Sequence, residues 1–175
     1  MCSRWGRARS ISVFENRTVS APTNVVSRKT HGTAGTFDIN LPLTGNAGIE
    51  CRSGGVNSDH QIVFTFPAAV TLSGASVTPE PGKSASVAGP PIISPDGKTV
   101  TVNLTDVTDV QTITITLLGV NNGTSTNDVD VRMRLLLGDT NANGVVNASD
   151  VSQVAIRASG HGFELPHRCG SQWDD

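Results

Sequence analysis

Between Gln111 and Leu117 the chain alternates strictly, with Ile113, Ile115 and Leu117 separated by Thr112, Thr114 and Thr116. A period of two sends successive side chains to opposite faces of an extended backbone, so this segment fits a strand with one buried face and cannot form the apolar stripe of a helix. Threonine, branched at Cβ, suits the exposed face of such a strand. The pattern recurs. Val100, Val102 and Leu104 alternate with Thr99, Thr101 and Asn103, and Val129, Val131, Met133 and Leu135 are expected inward with Asp130, Arg132 and Arg134 outward. Ile62, Phe64 and Phe66 supply a further face, Val70, Leu72 and Val77 continue it, and Thr36-Phe37-Asp38-Ile39 is expected to open the series.

Turn residues fall between these runs. Ser94-Pro95-Asp96-Gly97-Lys98 predicts a hairpin joining Ile92-Ile93 to the strand that begins near Thr99, and Asn121-Asn122-Gly123 predicts a second turn. Short alternating strands at this spacing predict a mainly β chain, an antiparallel β-sandwich over residues 24–137. Residues 1–23 show neither period and end in the linker-like Ser20-Ala21-Pro22-Thr23, so they are expected to be a disordered or non-native leader. The segment 138–158 reads as a loop and helix, and 159–175 as a disordered tail.

The loop is GDTNANGVVNASD, residues 138–150. Counting from Asp139, oxygen-bearing side chains stand at positions one, three, five, nine and twelve, and Gly144 stands at six. That is the arrangement by which an EF-hand loop wraps a hard cation, except that Asp150 replaces the usual glutamate at twelve. Calcium takes roughly six to eight oxygen ligands. Asp139, Asn141, Asn143, the carbonyl of Val145, Asn147 and Asp150 are therefore the candidate metal ligands. Gly144 allows the sharp turn, Val146 is expected to point into a small apolar core, and the shorter Asp150 requires the helix to come close. The competing reading is a plain Asn/Gly-rich surface turn, for which these residues also serve.

The stretch GDTNANGVVNASDVSQV resembles the first half of a type I dockerin, down to Asp at position twelve, the glycine before the first ligand and the pair Ala148-Ser149. The resemblance implies a Ca2+ cofactor, a cohesin-like protein domain as partner, and Ala148 and Ser149 as partner-binding residues. A complete dockerin repeats the loop and helix; here GHGFELPHRCGSQWDD follows, so an incomplete or frame-shifted half dockerin is expected. Val151, Val154 and Ala155 would form the helix's apolar face and Gly160 its end. The body, with phrases such as GPPIISPDGKTVTVNL, resembles the immunoglobulin-like (Ig-like) or cohesin-like modules that precede dockerins in large secreted bacterial proteins.

Composition narrows the function classes. Only 16% of residues are charged and tyrosine is absent, which with the abundance of Gly, Ser, Thr and Val suggests a secreted, extracellular β-protein. Residues 1–33 hold six basic side chains (Arg4, Arg7, Arg9, Arg17, Arg28, Lys29) against Glu15; with −2 overall, +5 there leaves −7 for the remainder. Without interleaved aromatics this basic start does not predict nucleic-acid binding. No apolar run is long enough for a membrane span, and residues 1–20 lack the apolar core of a signal peptide, so an exported protein would need a different start.

Three cysteines make no framework: Cys2 and Cys169 lie in the tails, and Cys51 is expected to be a buried bystander. Asp38, Glu50, Asp59 and Asp109 are scattered, and they are expected to be solvated charges rather than a glycosidase pair. His31 and His60 stand isolated; His161 and His167 are expected to be bystanders in the tail. No nucleophile elbow or phosphate loop occurs, so the chain is expected to be non-catalytic. Binding of polysaccharide, as an accessory module of a glycoside hydrolase system, is the alternative function. Against it, Trp5 and Trp173 lie in the tails and the alternation buries Phe64 and Phe66, leaving Phe37 as the body's remaining aromatic and no platform for a sugar ring.

Overall fold

The computed structural model describes residues 20–158, with side chains described through Val154. Within them the chain is mainly β. Ten strands are followed by one helix: β1 Asn24–Thr30, β2 Thr36–Asn40, β3 Gly48–Glu50, β4 His60–Thr65, β5 Gly74–Thr78, β6 Ser86–Val87, β7 Ile92–Ile93, β8 Thr99–Thr105, β9 Gln111–Asn121, β10 Thr126–Leu135 and α1 Ala148–Ala158. One sheet runs β2-β1-β4-β8-β6, with β7 also paired to β8; the other runs β3-β10-β9-β5.

The inner faces of the two sheets share one core, an arrangement compatible with a β-sandwich. Val25, Ile62, Phe64, Val100, Val102 and Leu104 come from the first sheet, and Ile113, Ile115, Leu117, Val131, Met133 and Leu135 from the second. All are essentially excluded from solvent. The alternating runs therefore bury the residues that their period selects, while Asp130, Arg132 and Arg134 are exposed.

Two features depart from the sequence reading. The series opens one strand earlier than Thr36, because Asn24–Thr30 lies between β2 and β4, pairing antiparallel with both. Its alternation is hidden: Val25 and Val26 are both buried, and Lys29 occupies an inward position next to Ser27. The second departure is that the sheets are not wholly antiparallel. β3 pairs parallel with β10, setting Gly48 opposite Met133 and Glu50 opposite Leu135. This parallel ladder continues past the strand ends, where Leu136 N–H donates to Glu50 O (3.1 Å) and Gly138 N–H to Cys51 O (3.3 Å).

Glu50 is not a solvated charge. It is 2% exposed and forms an ion pair with Arg52, itself buried. Arg52 Nε donates to Oε1 at 2.8 Å and Nη2 to Oε2 at 2.7 Å; Ser27 Oγ also donates to Oε2, and Arg52 Nη1 and Nη2 reach the carbonyls of Phe37 and Ser27 at 2.9 Å. Burial alone would raise the Glu50 pKa, but the Arg52 guanidinium and the Ser27 hydroxyl together hold it below the ordinary 4.5. Asp38 is engaged by Arg28 in an exposed bidentate pair, and Asp109 Oδ1 accepts from Leu137 N–H at 3.0 Å. Cys51 is disulfide-bonded rather than a bystander. Among the described residues no helix is long and apolar enough to cross a membrane.

Candidate metal centre

β10 ends at Leu135, and the continued ladder to Glu50 and Cys51 delivers the chain to Asp139. Asp139 is fully buried. Its Oδ2 accepts from Gly144 N–H at 2.7 Å and its Oδ1 from Asn143 N–H at 3.1 Å, so the following five residues curl around one carboxylate. The curl requires a left-handed backbone at Gly144 (φ 85°), where a Cβ would be strained.

Asp150, on the first turn of α1, closes the loop from the other side. It is 2% exposed; Oδ1 accepts from Thr140 N–H (3.0 Å) and Asn141 N–H (3.3 Å), and Oδ2 accepts from Asn147 N–H (2.9 Å). The Asn147 N–H is the largest cause holding the Asp150 carboxyl below its ordinary pKa, opposed by desolvation and assisted by Asn141 and Thr140. Both ends of the loop are thereby brought together by bonds between residues nine and ten apart in sequence.

The asparagines between them form a chain of Asx turns. Asn141 Oδ1 accepts from Asn143 N–H (3.0 Å), Asn143 Oδ1 from Val145 N–H (2.8 Å) and Asn147 Oδ1 from Ser149 N–H (2.8 Å), the last at the helix N-terminus. Each of these carbonyl oxygens keeps a second lone pair, and each carboxylate can accept about four bonds. The donor set is thus all oxygen, which suits a hard cation and not zinc or copper. Among the described residues no three His, Cys, Asp or Glu side chains converge, so a centre here would rest on two carboxylates with amide and peptide oxygens.

The electrostatic observation is the informative one. Two carboxylates are buried in one loop, and among the described residues neither forms an ion pair. The Arg134 guanidinium reaches the loop but donates to Gly144 O at 3.4 Å. Backbone N–H groups, not a basic side chain, compensate both carboxylates here, so a cation bound in the loop would supply the counter-charge that no side chain provides.

Ala148 and Ser149 are exposed on the first turn of α1, where Ser149 Oγ accepts from Asn141 Nδ2 at 3.1 Å. Val146 does not enter a core: it is 48% exposed, Val145 is 56% exposed, and Val151 and Val154 are 68% and 43% exposed. The reason is that no second loop and helix stands opposite them among the described residues. Ala155 has no described side chain, and Gly160, His161, His167 and the tail expected at 159–175 lie outside the described residues, as do the leader residues 1–19. Sequence reasoning missed Arg52 and misjudged Glu50; both lie buried, with His60, where the loop joins the sheets. Comparison of the chain with protein-family models, with curated proteins and with solved structures gave no match.

Proposed function

We propose that residues 138–158 bind one calcium ion and that the chain is a non-catalytic extracellular module which docks, in a calcium-dependent way, onto a cohesin-type protein domain. The body is an Ig-like or cohesin-like sandwich serving as its base, and the loop and helix are one half of a dockerin. The observation that carries this reading is the pair of buried carboxylates, Asp139 and Asp150, with no basic partner among the described residues. The exposure of Val145, Val146, Val151 and Val154, on the same loop and helix as Ala148 and Ser149, supports a docking role, because exposed apolar side chains gathered on one segment suit an interaction surface. Only two charged ligands among neutral ones place the affinity at the weak extracellular end, on the order of 0.1 to 1 mM.

Calorimetric titration of calcium into the whole chain tests the metal claim, and absence of heat up to about 10 mM, well above that range, refutes it. A cohesin pull-down with and without chelator tests the docking claim. Capture must require calcium and must fail for Asp139→Ala.

A further inference from the structure

At the end of the first sheet nearest the loop, β1 outruns its neighbour. Its last pair with β4 is Arg28 opposite Gln61, yet it continues along β2 to Thr30 opposite Thr36. The chain before β4 turns away at Asp59, and the space left between Lys29 and Asp59 is a cleft of about 570 Å3. That volume lies within the usual range of small-molecule sites, roughly 300–1,000 Å3.

His60 lies at its base. It is 8% exposed, its ring makes no hydrogen bond among the described residues, and it borders both the cleft and a smaller cavity of about 80 Å3 against Glu50 and Arg52. Burial, assisted by Lys29 and Arg52 and opposed by Glu50 and Asp59, keeps its pKa below 6.5, so at neutral pH the ring offers one donor and one acceptor. Its ring nitrogens are not sealed away from solvent, so they stay open to a ligand in the cleft. On the rim, Gln61 Nε2 donates to Asn103 Oδ1 at 3.0 Å, which leaves Gln61 Oε1 and Asn103 Nδ2 for a ligand. The loops beside the cleft hold Ser58 (φ 52°) and Asp106 (φ 55°) in the left-handed region, linked by hydrogen bonds from Asp106 N–H to Asn57 O and from Val107 N–H to Ser58 O. Such strain in non-glycine residues persists chiefly around binding sites.

The wall chemistry selects the ligand. Arg28 is spent on Asp38, so Lys29 and Asp59 remain as one charge of each sign, with the neutral polar groups of His60, Gln61 and Asn103 in the same lining. A charged ligand would meet a like charge in either orientation. Hydroxyl groups both donate and accept, and they match such a surface without needing net charge. We propose that this cleft binds a neutral saccharide chain through hydrogen bonds to His60, Gln61, Asn103, Lys29 and Asp59, without an aromatic platform. The proposal is independent of the calcium reading.

The test is titration of the whole isotope-labelled chain with neutral cello-, xylo-, manno- and chito-hexaoses, following the His60 ring and the Gln61 and Asn103 side-chain amides by proton–nitrogen correlation NMR. Oligogalacturonate and chitosan oligomers serve as the acidic and basic counterparts. At least one neutral oligosaccharide should move those signals saturably, and Asn103→Ala should weaken it about tenfold or more with an unchanged melting temperature. Asp139→Ala should leave saccharide binding unaltered. Shifts absent up to about 10 mM of every neutral probe, a value marking negligible affinity, tighter binding of a charged oligomer, or unchanged affinity in Asn103→Ala would each overturn the proposal.

Discussion

Replacing Arg52 by Met should destabilise the protein severely, and the structure sets the size of the effect. The substitution keeps most of the side chain's length but removes the guanidinium from Glu50, whose side chain is 1% exposed. Two charge-assisted bonds disappear, at 2.8 and 2.7 Å, leaving the Arg52 backbone N–H and the Ser27 hydroxyl as the carboxylate's remaining partners. At about 1.5–3 kcal/mol each these bonds sum to about 3–6 kcal/mol, in line with the roughly 3–5 kcal/mol cost of stripping one partner from a buried pair. The carbonyls of Phe37 and Ser27 also lose their donors. Taking about 4 kcal/mol and a urea m-value near 2 kcal/mol/M, the midpoint should fall by roughly 2 M. Adding Glu50→Gln should recover much of that loss, since the uncompensated charge goes with it. Urea denaturation followed by circular dichroism measures all three proteins. A loss under about 1 kcal/mol in Arg52→Met, or a double variant no better than the single, would refute the account of Glu50 as a buried charge held by Arg52.

Calcium at about 10 mM should raise the melting temperature by about 4–6 °C, because a site with a Kd near 1 mM then contributes about 1.4 kcal/mol, and Asp139→Ala or Asp150→Ala should abolish the rise in a thermal melt. Stability should fall as pH drops below 6.5, since the buried His60 resists a proton that the unfolded chain accepts; Glu50, whose folded pKa is depressed, holds its contribution above 4.5, so melts in chelator between these values report His60, and His60→Gln should flatten them. Gly54→Ala should cost about 1–3 kcal/mol, because the new Cβ would strike the backbone of Ser58 and Asp59, and the NMR signals of Gln61 and Asn103 should shift with it even without ligand.

The parts of the fold visible in the sequence were those with one face buried and the other wet. β8, β9 and β10 announce themselves because Val100, Ile113, Val131 and their neighbours sit at a period of two. β1 and β3 did not. Val26 is buried on the outer side of β1, and three residues of β3 are too few to show a period. A signal for the Glu50–Arg52 pair was nevertheless present: residues two apart along extended backbone share a face, so opposite charges there can pair inside as well as outside. The candidate loop was readable from ligand spacing, and the same spacing singles out Asp139 and Asp150, whose burial no sequence pattern could give. His60 offered no pattern at all, because its surroundings are assembled from β1, β4 and β8 by long-range pairing.

The two ends of the sheets are built differently, and the difference argues for where function lies. At one end the connections are ordinary turns, with Asn122 Oδ1 accepting from Thr124 and Ser125 N–H and Ser94 O accepting from Gly97 N–H. At the other, Ser58, Asp106 and the β-branched Val110 (φ 57°) all hold left-handed backbone, a conformation that valine adopts only at a cost. There too lie the Glu50–Arg52 pair, His60 and the chain's entry into the loop. Asp109 Oδ1 holds Leu137 N–H, and Glu50 and Cys51 hold Leu136 and Gly138, so the loop, with its valines exposed, takes its position from this strained end rather than from a core of its own. Loosening Glu50 should therefore weaken the candidate calcium site at a distance, whereas cutting the core at the far end should lower stability and leave calcium affinity in the folded protein unchanged.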